Sequence, residues 1–398
     1  MRILVHDYSG HPFQIELSRW LARQGHETLH LYSAGIPTPQ GGVARRADDP
    51  PGFAVEPVGD TTPVAKYDLP RRLRQERGYG RALAARAAGF APEVVLSGNC
   101  SPQIQRHLQR YCRRRGLRFL YWLQDLYADA AIRFLGRRSR LLGRLAAPLL
   151  RGFEAETLRR SAAVVAITED FRPVLEARGV APERIAVIEN WAPLAEVTPL
   201  ARRNAWSAGQ GLDGRFVLLY AGTLGLKHNP ELLADLARAF RDDPEVRIVV
   251  VSQGPGRDHL ERVKAAEGLA GLILLDWQPY ARLPEVLASA EVLLAILEPE
   301  AGVFAVPSKV LTSLCTARPI LAAIPPENLA ARTILAAGGG LCVAPGDAAG
   351  FVAAARRLRG DPALRERLAA DGRAYAERTF DIERIGPRFL ALLAGGPS

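Results

Sequence analysis

Cysteine, lysine and methionine are scarce in this sequence. The four cysteines, Cys100, Cys112, Cys315 and Cys342, are scattered without any C-x-x-C pair. Four such thiols make neither a structural zinc site nor a disulfide framework, and they read as reduced, cytosolic thiols. No run approaches the roughly 20 apolar residues of a membrane span. Met1-Arg2-Ile3-Leu4-Val5 leads straight to Asp7 with no apolar h-region or cleavage site, so no secretory leader is expected. The first βα turn, "HDYSGHPFQ", lacks G-x-G-x-x-G, which argues against a dinucleotide cofactor there. The absence of G-x-x-x-x-G-K-[ST] argues against a P-loop NTPase, and no G-x-S-x-G nucleophile turn occurs. No Asp-x-Asp occurs either, so no carboxylate pair is in view to chelate a nucleotide-bound metal.

One metal motif does match: His26-Glu27-Thr28-Leu29-His30 fits H-E-x-x-H. That chemistry needs a helix, in which residues four apart share a face. Here the segment follows a helix ending at Gly25 and continues into Leu31-Tyr32, so it reads as a strand. Residues four apart on a strand are separated by roughly 13 Å, too far to share an ion. No metal site is expected.

Positive charge is abundant but unevenly placed. Residues 1–195 carry 29 Lys+Arg against 19 Asp+Glu, while the remainder balances at 23 against 23. The excess lies in "RRLRQERGYGRALAAR" and "RRSRLLGRLAAPLLR". Nucleic acid would call for a recognisable module or basic residues interleaved with aromatics, and neither is present. The second run instead mixes Phe134, Leu135, Leu141, Leu142, Leu145, Leu149 and Leu150 with five arginines, a pattern suited to an anionic membrane surface.

Along the chain, strand-like apolar runs alternate with amphipathic helices. "RILVHD", "ETLHLY", "EVVLSG", "RFLYWLQD", "AAVVAIT" and "RIAVIEN" form a first series, interrupted by a Gly/Pro-rich segment, Ser33 to Pro63, that reads as irregular. "RFVLLYAG", "VRIVVVSQG", "LILLDW", "EVLLAIL", "PILAAI" and "GLCVA" form a second. Such alternation predicts parallel sheets covered on both faces, in two α/β domains joined by a hinge between Trp191 and Gly214. Ligands of doubly wound sheets bind outside the strands' carboxyl ends.

At one such end stands "YAGTLGLKHNPELL", Tyr220 to Leu233. Asn229 is expected as N-cap with Pro230 first in the helix, so Lys227 and His228 lie directly before a helix N-terminus, a ready anion site. Only four residues in the chain are lysine: Lys66, Lys227, Lys264 and Lys309. Two of these, Lys227 and Lys309, fall in loops at predicted strand ends. "VPSKVLTSL" repeats the arrangement, with Pro307 and Ser308 ahead of Lys309. Gly222, Gly225 and Gly302 permit close backbone approach, and Trp277, after "LILLD", could equally pack in a core or wall a ligand.

These two segments, with "VVVSQGPGRDHLE", "GGGLCVAPGD" and the terminal "TFDIERIGPRFLALL", resemble glycosyltransferase family 4 over essentially the whole chain. The likeness is nearest to bacterial surface-polysaccharide enzymes of fucosamine type. The resemblance implies a GT-B fold: two doubly wound Rossmann-like domains facing across a cleft. Residues 1–197 would bind the acceptor and 198–378 the nucleotide-sugar, with 379–398 returning as a helix to the first domain. It implies retention, a UDP-linked donor, a saccharide or lipid-linked acceptor, no metal or other cofactor, and a cytoplasmic protein, peripheral on the inner membrane face. Donor contacts fall on Gly222, Thr223, Lys227, Trp277, Glu298, Ser308, Lys309 and Thr312. Asp125 and Lys227 take catalytic roles, and Gly10 and His11 meet the acceptor. The sequence departs from the family at two places. Thr223 stands where an Arg is usual, and Glu-x7-Glu is absent, with Thr312 at its second position. A sugar-nucleotide epimerase of the same fold would need acid–base groups on the sugar and no acceptor. A catalytically idle scaffold would release no nucleotide.

Overall fold

The computed structural model describes residues 1–36, 41–65, 68–98, 100–225, 228–299, 306 and 308–396. The chain divides into two compact units, Met1–Asn190 with Ile382–Ser398, and Trp191–Asp381. Each is built on one parallel sheet.

The first sheet comprises β1 (Arg2–Asp7), β2 (Glu27–Ser33), β3 (Phe53–Val58), β4 (Val94–Gly98), β5 (Arg118–Leu123), β6 (Ala163–Ala166) and β7 (Ile185–Val187). Their order is β3-β2-β1-β4-β5-β6-β7. The second holds β8 (Phe216–Ala221), β9 (Val246–Val251), β10 (Leu272–Leu275), β11 (Val292–Ile296), β12 (Ile320–Ala323) and β13 (Gly340–Val343), ordered β10-β9-β8-β11-β12-β13. In both, the chain steps outward from the first strand, returns, and continues on its other side. This reversal creates a topological switch point beside β1 and β4, and again beside β8 and β11.

Burial explains why apolar runs rather than alternation mark these strands. Ile3, Leu4 and Val5 are all fully buried, as are Val217, Leu218, Leu219 and Tyr220. Helices cover both faces, so successive side chains on opposite faces are alike apolar. In the second unit Leu218 and Val250 pack with Leu232, Leu236 and Phe351 on one side of the sheet. Val217, Leu219 and Val249 meet Trp206, Leu212 and Val286 on the other.

Two expectations need correction. The segment Ser33 to Pro63 contains β3, paired in register with β2 from Thr28↔Phe53 to Ser33↔Val58. Its Pro57 reads as a strand breaker, yet β3 is an edge strand, where a missing N–H is tolerated. The segment Trp191–Gly214 also has more structure than a hinge. Trp191 and Trp206 are buried, Asn204 closes a capping box with Ser207, and the Tyr280 hydroxyl donates to Glu196 at 2.8 Å. These contacts tie the segment into the second unit, so the division falls at 190/191.

The last helix, Ile382–Ala394, packs in the first unit on the helix Pro12–Arg23. Trp20 Nε1 donates to Glu383 Oε2 at 2.8 Å, and Phe389 lies against Trp122 with ring centroids 4.6 Å apart. Gly386 makes this contact feasible, because a Cβ there would fall inside the Trp20 indole.

"HETLH" is a strand: β2 begins at Glu27. His30 is buried, its Nδ1 2.8 Å from Ser18 Oγ, and no group of three metal-ligating side chains occurs among the described residues.

Candidate functional site

In the second unit the carboxyl end of β8 carries a buried polar constellation. Tyr220 is fully buried, and its hydroxyl donates to the Thr223 carbonyl at 2.9 Å. The same oxygen accepts from Lys309 Nζ at 2.5 Å, and the ammonium lies 3.9 Å from the ring centroid. Lys309 opens the helix Lys309–Cys315, so a helix start and a strand end meet through this side chain. Gly222, at φ 141°, provides the room: a Cβ there would sit 2.9 Å from Lys309 Nζ. Thr312, one turn on, lines with Lys309, Ser313, Ala221 and Leu219 a cavity of about 120 Å³.

No carboxylate pairs with Lys309 among the described residues. Burial pulls its ammonium down to about 7. A cation held in a poor dielectric without a counter-ion favours an anionic ligand, whose charge would restore the protonated form.

The loop after Gly222 is pinned by Leu224, whose N–H donates to Ser252 Oγ at 3.1 Å and whose carbonyl accepts from Gly256 N–H at 3.1 Å. Gly225 N–H donates to His228 Nδ1 at 3.2 Å. The following helix begins at Glu231 with Pro230 at the cap, one residue later than expected. Proline has no side-chain acceptor to offer, and Asn229 Oδ1 instead accepts from Glu231 N–H at 3.0 Å. Lys227, Gly302 and Pro307 lie outside the described residues. Ser308 is exposed and precedes the Lys309 helix without a side-chain cap. Glu298 is half-buried just beyond β11, at the switch point. Trp277 is half-buried beyond β10, which places it two strands from β8.

In the first unit the corresponding strand end is β1. Asp7 is buried at its tip and organises the turn: Ser9 N–H donates to Oδ1 at 3.0 Å, and His11 N–H donates to Oδ2. Gly10 takes φ 71°, the left-handed turn conformation that suits glycine, and His11 begins the helix Pro12–Arg23. His11 Nδ1 lies 3.5 Å from Asp7 Oδ1. Burial alone would lower the His11 pKa, but the charge and hydrogen bond of Asp7, with Asp125 assisting, raise it above the usual value. Burial likewise pushes Asp7 upward, and His11 outweighs it to leave the carboxyl below its ordinary range. Asp125 follows β5, and the next helix is capped at Leu126 with no side-chain bond, so Asp125 is not its N-cap. The structure thus brings His11 and Asp125 into one electrostatic group.

Sequence reasoning missed Tyr220 and Asp7. Both end a buried apolar run with a polar group, "LLYAG" and "RILVHD", and that break in pattern is the signal available.

Comparison with known proteins agrees with this architecture. Residues 13–196 match the sequence model of Glycosyltransferase Family 4, and residues 215–361 match Glycosyl transferases group 1. A protein of Escherichia coli (strain K12) named as a colanic acid biosynthesis glycosyl transferase, WcaI, is 26% identical over 306 residues, 76% of this chain and 73% of that protein. Among solved structures, sucrose-phosphate synthase from Thermosynechococcus elongatus superposes with a TM-score of 0.73 at 16% identity, covering 98% of each chain. Anabaena HepE in complex with UDP-glucose gives 0.70 at 15% identity, covering 99% of each. The first domain is thus similar to glycosyltransferase family 4 and the second to glycosyl transferases group 1, and the chain has the GT-B fold of two parallel-sheet α/β domains.

Proposed function

We propose that the chain transfers a sugar from a nucleoside-diphosphate sugar, UDP-linked, to a saccharide or lipid-linked acceptor with retention of configuration, in polysaccharide biosynthesis. The observation that carries this reading is the buried Lys309 ammonium at the carboxyl end of β8, without a carboxylate partner among the described residues and with Gly222 cleared for it. A diphosphate is the anion such a site suits. The binding of UDP-glucose by HepE and the colanic acid role in the WcaI name support the donor class and the biosynthetic setting.

In this mechanism the bond from the anomeric carbon to the diphosphate oxygen breaks, and a bond to the acceptor oxygen forms on the same face. The acceptor proton passes to the departing phosphate oxygen. Lys309 and Lys227 stabilise the charge that develops there, a preorganised electrostatic role that needs no metal ion. Thr223, Ser308, Thr312 and Glu298 offer hydroxyls and a carboxylate to the donor's ribose and sugar, and Trp277 walls the base. The second domain holds the donor and the first the acceptor, with Gly10 and His11 at the acceptor and Asp125 positioning it.

A thermal-shift screen across nucleotide-sugars tests the donor, because a ligand bound only by the folded state raises its melting temperature. UDP-sugars should raise it in a chelating buffer, and UDP should be released only when acceptor is added. Stabilisation by no nucleotide-sugar, or complete dependence on magnesium or manganese, would overturn the reading.

A further inference from the structure

A second basic feature lies in the first unit, away from the strand ends that carry the site above. The helices Leu69–Phe90 and Pro102–Arg114 flank β4 in the chain, one entering it and the other leaving it. Between them runs a groove of about 630 Å³, lined by Arg81, His107, Arg110, Tyr111, Arg114 and Arg115 over a floor of small residues. Its lining belongs to the half of the first helix that leads into β4 and the half of the second that leads into β5, hence to the amino ends of the strands. Ligands of the transfer reaction belong to the opposite edge.

The groove's charge is unmatched. Among the described residues, none of Arg81, Arg110, Arg114 and Arg115 has an ion-pair partner, although 25 such pairs join other residues. Cations at a helix C-terminus offset its dipole, which accounts for Arg114 and Arg115. That effect fades within one turn, and it does not account for Arg81 on the neighbouring helix. The field is felt by His107, whose pKa is lowered by burial and by Arg110, Arg81, Arg77 and Arg106.

The groove is also closely fitted. Gly80 sits in the interior of its helix, where glycine is destabilising by about 1 kcal/mol relative to alanine. A Cβ at Gly80 would lie 2.9 Å from His107 Cβ and 3.0 Å from its ring, so the glycine is what lets His107 lie against the floor.

We propose that this groove binds a compact anion bearing at least two phosphoryl groups, at a site separate from the sugar donor's. Each phosphoryl group carries about −1.5 to −2 charge, so two of them balance four guanidinium groups. Guanidinium forks match phosphate oxygens bidentately. The volume falls within the roughly 300–1,000 Å³ of small-molecule sites, well beyond a single ion. The half-exposed Tyr111 ring offers a flat wall to the scaffold that bears the phosphates. The source is a soluble polyphosphate or a lipid headgroup with the same chemistry.

The test is calorimetric titration of the full chain, held in saturating UDP to occupy the donor site, with inorganic tripolyphosphate near physiological salt. It is paired with sedimentation on vesicles containing diacylglycerol pyrophosphate, whose headgroup bears two phosphoryl groups, or phosphatidylglycerol adjusted to equal surface charge. The groove variant carries Arg81→Gln, Arg110→Gln and Arg114→Gln, all exposed positions. A charge-matched control carries Arg262→Gln, Arg357→Gln and Arg367→Gln, exposed in the second unit. The groove variant should weaken tripolyphosphate binding at least tenfold, while the control and Lys309→Ala stay within about twofold. Binding should also raise the His107 pKa, followed by NMR, as the anion offsets Arg110 and Arg81, two of the arginines that lower it. Tripolyphosphate binding without a preference for diacylglycerol pyrophosphate identifies a soluble source. A preference for diacylglycerol pyrophosphate that the groove variant abolishes identifies a lipid one. Equal weakening by groove and control variants, loss of binding in Lys309→Ala, or no response in either arm would overturn the proposal.

Discussion

At the scale of single residues, Lys309 combines the donor role proposed above with a stability defect. An ammonium held near 7 in the folded chain, against roughly 10.4 in the unfolded one, opposes folding fully below pH 7. That opposition fades as pH rises toward the unfolded value, since only the unfolded chain still gives up a proton there. Lys309→Met should therefore raise the melting temperature at pH 7 and below, with the gain vanishing toward pH 10, while the donor KM rises at least tenfold. In the wild type, donor affinity should fall as pH rises above about 7. A variant no more stable than wild type at pH 6, or with an unchanged KM, would remove Lys309 from this role. His11 gives the opposite sign. Its raised pKa makes the pair with Asp7 stabilising below the ordinary histidine value, and that stabilisation is lost as pH climbs through the raised one. Asp7→Asn should drop the His11 pKa below 6.5, because burial remains and the counter-charge is gone; NMR titration of the imidazole reads this directly. Lys309 was legible in the sequence because lysine is rare and follows a turn. Tyr220 was not, since its hydroxyl finds Lys309 across 89 positions of chain. Such a pairing is made by the fold, and no local pattern announces it.

At the scale of elements, the strands of both sheets were legible wherever burial on two faces made them continuous apolar runs. β3 was not, because an edge strand can carry Glu56 and Pro57 and so loses the signature. Helix starts shifted by a residue, as at Glu231, where capping chemistry leaves the boundary loose. The two glycines Gly386 and Gly152 look alike in sequence, each inside a helix, yet the structure separates them. Gly386→Val should destabilise the chain by about 1–3 kcal/mol by overpacking against Trp20 and displacing the last helix. Gly152→Ala meets nothing within 4 Å and should stabilise by about 0.5–1 kcal/mol through helix propensity. Urea denaturation of the two variants measures both. A neutral Gly386→Val would mean that the last helix contributes little to the first unit.

At the scale of the molecule, the net charge of +10 resides in the first 195 residues, and the structure adds an apolar feature to it. On the helix Arg140–Arg159, Leu141, Leu145 and Leu149 are 66%, 67% and 61% exposed, at a spacing of four that puts them on one face. The opposite face approaches the neighbouring helix closely at Gly143 and Gly136. Arg140 and Arg144 are exposed and have no ion pair among the described residues, while Arg151 is held by Asp129 at 3.1 Å. The side chains of Phe134, Arg137, Arg138 and Leu142 lie outside the described residues. A ridge of leucines rimmed by unmatched arginines suits the anionic face of a membrane, where the lipid-linked acceptor proposed above would reside. Each arginine near such a surface contributes about 1 kcal/mol, and burying each leucine about 1–2 kcal/mol. The protein should bind vesicles containing phosphatidylglycerol and leave phosphatidylcholine vesicles unbound, with binding weakened at roughly three times physiological salt. Replacing the three leucines with Gln should weaken binding at least tenfold at any salt, whereas Arg140→Gln with Arg144→Gln should lower mainly its salt dependence. Neither set should alter turnover of a water-soluble acceptor. Equal binding to both vesicle types, or none to either, would assign the ridge to another partner and the acceptor to the soluble phase.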